Sequence, residues 1–362
     1  MSTATATRPA RSYAAHEQPL WRRLLMTRET AVIALLVAVV VYSINNVPNF
    51  DGPLTLTFLL RDTMPILLIA LPMTLVIVTG EIDLSVASVV GLSSVLLGVL
   101  HEGGASMTVA AVVALLAGVV CGAFNGFLVA YVGLPSLAVT IGTLALYRGL
   151  AVGLLGTKAV TDFPDRWTDV ASSAVIGDTG IPRAMILYVV LALAFAVLLH
   201  FTPFGRGIFD IGLNKEAAHF TGVNVERTKL TLFILSGAVS ALAGVYFTLR
   251  FGSARGDNAT GLELQVIAAV LLGGVSIFGG RGRLHGVIAG VLLIGVISSA
   301  LRLESVTVNV INIIIGLLLV ASVISPSVLA WVSGLAARRN RRPGTPGNAS
   351  QLPPVGADTE GR

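Results

Sequence analysis

Of 362 residues, 54% are hydrophobic and only 12% are charged, with a formal net charge of +5. That charged share is about half of what a soluble globular chain carries, so a soluble fold wrapped in a charged shell is excluded. A lone Cys121 offers no disulfide and no cysteine-based metal site, and the five histidines lack metal-ligand spacing.

The chain opens on a polar stretch, residues 1–28, carrying Arg8, Arg11, Arg22, Arg23 and Arg28. It is too long and too basic for a signal n-region, and no small-residue cleavage site follows, so it reads as a cytoplasmic leader to an uncleaved first helix. Ten apolar spans come next, at roughly 30–47, 54–79, 84–101, 106–132, 135–155, 184–201, 230–250, 263–280, 284–302 and 305–325, near the length of about 20 residues that crosses a bilayer. Residues 104–147 contain no Asp, Glu, Lys or Arg, and neither do residues 305–337. Gly133-Leu134-Pro135 divides the first of these runs into two helices, because proline disfavours a helical residue before it and starts a helix well. Pro65 and Pro72 fall inside the second span and are expected to kink it.

The fold class is therefore all-α: a polytopic integral membrane protein with residues 29–330 as its transmembrane domain. Residues 331–362, rich in Pro, Gly and Arg, are expected to be a disordered cytoplasmic tail. With the N-terminus inside, sixteen Lys and Arg fall on inside segments and six on outside ones, which predicts both termini in the cytoplasm. The basic ends then serve as cytoplasmic anchors, and no nucleic-acid partner is needed to explain them.

Two ladders of small residues mark packing faces. Ala114, Gly118, Gly122, Gly126 and Ala130 recur every four residues in the fourth span, and Gly282, Gly286 and Gly290 do so at the start of the ninth. This spacing keeps small side chains on one helix face and lets backbones approach closely, more simply within the subunit than between two copies. Five spans separate the ladders, so their helices run in opposite directions. That points to an inverted repeat pairing spans two to five with seven to ten.

Three polar stretches interrupt the apolar pattern. In Thr79-Gly80-Glu81-Ile82-Asp83-Leu84-Ser85 two acids sit where too few residues remain for an ordinary loop, so both lie at the membrane boundary. Ionisable groups there usually face a cavity or a partner. Glu81, Asp83 and Ser85 are candidates for a translocation pathway or gate. Asp83 could equally cap a helix starting at Leu84, or the acids could relay protons; spacing leaves these readings open.

In 205–229, Asn214 suits the N-cap of a short helix, 215–221, and Gly222 its terminator. A helix of about 10 Å cannot span, so it should lie along the inner face. Ala217 and Ala218 leave room for another protein, and Glu216 gains from the helix dipole. Spacing alone does not separate a docking helix from a solvated one. The third stretch, 273–283, has the glycines of a phosphate loop but no Gly-Lys dipeptide, so no nucleotide site is read there.

These residues carry a family resemblance. PMTLVIVTGEIDLSVASVVGL (72–92), FNGFLVAYVGLPSLAVTIGTLALYRGL (124–150), NKEAAHFTGVNVERTKL (214–230) and ELQVIAAVLLGGVSIFGGRGRLHG (263–286) resemble the permeases of monosaccharide ABC importers, the ribose-, rhamnose- and autoinducer-2-type group. Gly80 to Ser85 looks most like the rhamnose type, whereas most ribose-type relatives have a second glycine at Glu81. The resemblance implies that Glu216, Ala217, Ala218 and Gly222 mark the cytoplasmic loop that docks into an ATPase. It implies a pair of permease subunits in the bacterial cytoplasmic membrane, a cytoplasmic ABC ATPase that binds the ATP and Mg, and an extracytoplasmic sugar-binding protein. It also implies no catalytic residue and no cofactor in this chain. A proton-coupled secondary transporter of a small polar solute is the rival reading; it would titrate Glu81 or Asp83, and the acid-free spans 106–132 and 305–325 speak against it.

Overall fold

The computed structural model describes residues 28–322 and 324, apart from 173, 174 and 178. The leader and the tail read from the sequence therefore lie almost wholly outside the described residues. The chain up to Leu319 is one compact unit, and only a few residues of the second, Val320–Arg362, are described.

All regular structure among the described residues is helical. In chain order the helices are α1 (Arg28–Asn46), α2 (Pro53–Val78), α3 (Val86–Glu102), α4 (Met107–Ala130), α5 (Ser136–Leu155), α6 (Asp165–Ser172), α7 (Ala184–Phe201), α8 (Pro203–Leu213), α9 (Lys215–Phe220), α10 (Val225–Phe251), α11 (Leu262–Leu272), α12 (Leu284–Leu303) and α13 (Val308–Ser322). Seven of them (α1, α2, α4, α5, α7, α10 and α12) are long and apolar enough to cross a membrane, and α3, α11 and α13 are shorter apolar helices. Each of the ten apolar spans thus corresponds to a helix. The eighth is cut short: α11 stops at Leu272, where Gly273 and then Gly274, with φ of 96°, turn the chain, and 273–283 is an irregular segment rather than a continued helix.

Local chemistry fixes the ends. Pro53 occupies the first turn of α2, where its missing N–H costs nothing. Ser106 accepts from Val109 N at the start of α4, and Asn224 accepts from Arg227 N at the start of α10, each satisfying a donor that the helix itself cannot. Inside α2, Pro65 cannot donate to the carbonyl of Arg61, one turn back. Tyr246 Oη of α10 donates to that carbonyl instead, at 3.1 Å. A neighbouring helix thus satisfies the group that the proline frees, which apolar surroundings require.

α2 and α10 pack on each other at the centre. α10 also carries α3 and α4, while α2 carries α11 and α12. This exchange of partners is what an inverted pairing of spans two to five with seven to ten would produce.

The glycine ladders explain how closely these helices approach. A Cβ at Gly118 would run into Ala241 and the Gly237 carbonyl, one at Gly122 into the Phe233 carbonyl, and one at Gly126 into Leu230 and Phe233. The receiving point on α10, Gly237, was not singled out from sequence, and neither was Gly244, which lies instead against Val90 and Ser93 of α3. Gly286 and Gly290 likewise touch the Gly273 and Ala269 carbonyls at the end of α11. Gly282 departs from the expected ladder: it precedes α12, and a Cβ there would meet Val275 and Val78 at about 3 Å.

Candidate functional site

The link between α2 and α3 turns at Gly80, whose φ is 82°. Glu81 leaves it to pair with Lys229 Nζ on the first turns of α10. Ile82 is held from both sides, its N–H donating to Ser136 Oγ at 3.1 Å and its carbonyl accepting from Thr140 Oγ1 at 3.2 Å.

Asp83 is 2% exposed, and its Oδ1 accepts from the amide two residues on, Ser85 N, at 3.0 Å, the bond of a residue that caps a helix beginning at Leu84. The helix itself starts at Val86, with Ser85 in a helical conformation before it and no cap bond from the Ser85 side chain. The Asp83 carboxylate also accepts from Ser85 Oγ at 2.6 Å and, across the bundle, from Ser236 Oγ at 2.7 Å. Asn125 Nδ2 donates to Ser85 Oγ at 2.8 Å, and Tyr147 Oη donates to Asn125 Oδ1 at 3.2 Å. One hydrogen-bonded chain therefore joins α3, α4, α5 and α10. Asp83 and Ser85 are inside that chain; Glu81 alone of the three boundary candidates stands at its edge.

A second polar junction, not found from sequence, lies at the other end of the central pair. Asp62 Oδ1 accepts from Arg250 Nη2 at 3.2 Å, and its Oδ2 accepts from Arg302 Nη1 at 3.1 Å. At about 1.5 Å per residue, Lys229 and Arg250 stand about 31 Å apart along α10, close to the roughly 30 Å of a hydrocarbon core. The two junctions therefore bracket the membrane. Arg148, which lies within a span, donates to the carbonyls of Gly256, Asn258 and Ala87 at 2.7–3.2 Å, tying α5 and α3 to the loop after α10.

α8 and α9 form the surface at the Glu81 end. Asn214 Oδ1 accepts from Ala217 N at 2.9 Å, and Gly222, at φ of 89°, ends the segment with open space around it. Lys215, Glu216 and Ala217 are exposed, but Ala218 is buried against Ile211 and Val225. The small face offered outward is thus Ala217 and not the pair. Gly212 of α8 sits against Val78 O and Gly280, whose amide donates to Val78 O at 2.8 Å. The α8–α9 surface consequently rests on the end of α2, next to Glu81. No group of three or more potential metal ligands occurs among the described residues.

A family model described as branched-chain amino acid transport system / permease component matches residues 55–323. The chain belongs to this permease family. Its relatives include proteins named autoinducer 2 import system permease protein LsrD. The one from Yersinia enterocolitica is 35% identical over 307 residues, 83% of this chain and 92% of its own. Those from Salmonella typhimurium and Escherichia coli are 35% identical over 315 residues and 36% over 307, covering 85% and 83% of this permease and 93% and 92% of theirs. No solved structure matches. The permease is a transport component that passes the membrane several times, and its polar junctions sit between helices of a bundle that matches the family model through all but its first apolar span.

Proposed function

We propose that this chain is the membrane-spanning subunit of an ATP-driven importer for a monosaccharide-like solute, rhamnose- or ribose-like in character. It would work with a second permease subunit, a cytoplasmic ATPase that binds the ATP and Mg, and an extracytoplasmic binding protein. The observation that carries this reading is the 35% identity, over more than four fifths of the chain, to permeases named for autoinducer 2 import.

In this reading the Glu81 end faces the cytoplasm, both termini lie there, and α9 seats in the ATPase. Asn214 and Gly222 fix the two ends of α9, and Glu216 and Ala217 point outward from it. Closure of the ATPase on ATP would act on α2 through the Gly212–Val78 contact, favouring one of two arrangements of the central helices.

The test is uptake. The complex is purified from its host through a tag on this chain, reconstituted in vesicles, and offered radiolabelled sugars with ATP and an uncoupler. Uptake that needs ATP and survives the uncoupler is expected. Uptake that ignores ATP and collapses with the proton gradient would establish the secondary-transporter reading instead.

A further inference from the structure

At the Asp62 end, α2, α10, α11, α12 and α13 enclose a half-open cavity of about 220 Å³. Its polar wall is Asp62, Gln265, Ser298, Arg302 and Asn312, and Phe251 stands at the end of α10. Asp62 is held in place by Arg250 and Arg302. The carboxamides of Gln265 and Asn312 and the hydroxyl of Ser298 make no hydrogen bond to other described residues.

Asn312 stands exposed on α13, an otherwise apolar helix, and Gln265 is half-buried on α11, so both carboxamides are open to water or a solute at the cavity. The unused groups also have a defined chemistry. Each carboxamide brings a donor and an acceptor, Ser298 brings both in one atom, and the Asp62 oxygens keep lone pairs beyond the two guanidinium contacts. A hydroxyl both donates and accepts, so neighbouring hydroxyls on one ring match this set. The ring of Phe251 offers an apolar surface to C–H bonds.

Charge narrows the class further. One carboxylate stands between two guanidiniums, which disfavours a cationic solute. Because the carboxylate already engages both, an anion would have to compete with it. Size narrows it again: the cavity is smaller than the roughly 300–1,000 Å³ of sites for drug-sized ligands. We propose that this cavity is a subsite for a neutral, polyhydroxylated solute of monosaccharide size, with Gln265 and Asn312 as the residues that read its hydroxyls. The proposal rests on the import reading above and adds where, and by which side chains, the solute is met inside the subunit.

Gln265→Leu and Asn312→Leu test it, since neither side chain holds the fold through a hydrogen bond. Vesicles with the purified complex are offered radiolabelled autoinducer 2, D-ribose and L-rhamnose. Each variant should assemble like the wild type and lose about three- to tenfold in ATP-driven uptake, the worth of one hydrogen bond. The ranking of the three probes should also change, which a merely structural defect would not produce. Unchanged rate and ranking in both variants would overturn the subsite and leave the import reading standing. A wild-type complex that takes up none of the three would overturn the import reading, and the subsite with it. If a leucine variant fails to accumulate, Gln265→Cys and Asn312→Cys in a Cys121→Ala background give a second measurement. Protection of these thiols from a charged methanethiosulfonate by the transported probe supports the subsite; labelling that the probe does not slow overturns it.

Discussion

Lys229, near the start of α10, donates to Glu81, just past the end of α2, and so ties the two central helices of the bundle at one membrane boundary. The side chains are 8% and 16% exposed, so each charge depends on the other for its stability. Removing one partner of such a buried pair costs about 3–5 kcal/mol. Lys229→Ala should therefore lower the thermal midpoint of the purified permease sharply. Glu81→Gln should do less, because a carboxamide oxygen still accepts from Nζ. The exchange Glu81→Lys with Lys229→Glu should recover much of the loss. A Lys229→Ala protein melting like the wild type would show that the pair does not hold the helices.

The Tyr246 hydroxyl is expected to matter only because of a proline. Tyr246→Phe removes the donor to the Arg61 carbonyl that Pro65 leaves free, at a cost of about 0.6–1.7 kcal/mol for a hydrogen bond within a membrane bundle. With Pro65→Ala in place the helix can satisfy that carbonyl itself, and the same Tyr246→Phe change should cost close to nothing. A double-mutant cycle by thermal unfolding in detergent reads the coupling. Equal losses in both backgrounds would remove the proline from the explanation.

Gly122→Ala should reduce the yield of folded protein, because its methyl group would overlap the Phe233 carbonyl. Overpacking of this kind typically costs about 1–3 kcal/mol. Gly142→Ala is the control: a Cβ there has nothing within 4 Å. Size-exclusion profiles of the two variants should differ, with Gly142→Ala matching the wild type.

At α9 the two alanines should behave differently. Ala217→Trp adds bulk to an exposed position, so the permease should insert and fold normally while losing solute-stimulated ATP hydrolysis in the assembled complex. Ala218→Trp should instead disrupt the cluster with Ile211 and Val225 and lower folded yield. Gly222→Val should weaken the link as well, since a left-handed φ costs a non-glycine residue about 1–2 kcal/mol. Full stimulated hydrolysis by Ala217→Trp would show that α9 is not the docking element.

What could be read in the sequence was whatever depends on neighbours along the chain. Apolar runs gave ten helices because length and hydropathy alone decide insertion. Asn214 and Gly222 were visible because a cap acts within three residues. The junction of Asp62 with Arg250 and Arg302 was hidden, since it joins residues 188 and 240 positions apart. The early end of α11 was hidden for a different reason: Val275, Ile277 and Phe278 continue the apolar pattern past the turn that Gly273 and Gly274 impose. The reach of Asp83 to Ser236 was hidden too, because Ser236 is a small residue on a distant helix with no charge to announce it.

The contact of Gly118 and Gly122 with Gly237 has one more consequence. Where two main chains meet with no side chain between them, no rotamer can change and no gap can open by degrees. α4 and α10 must therefore swing as a single lever. If the permease alternates between two faces of the membrane, this contact moves as one piece.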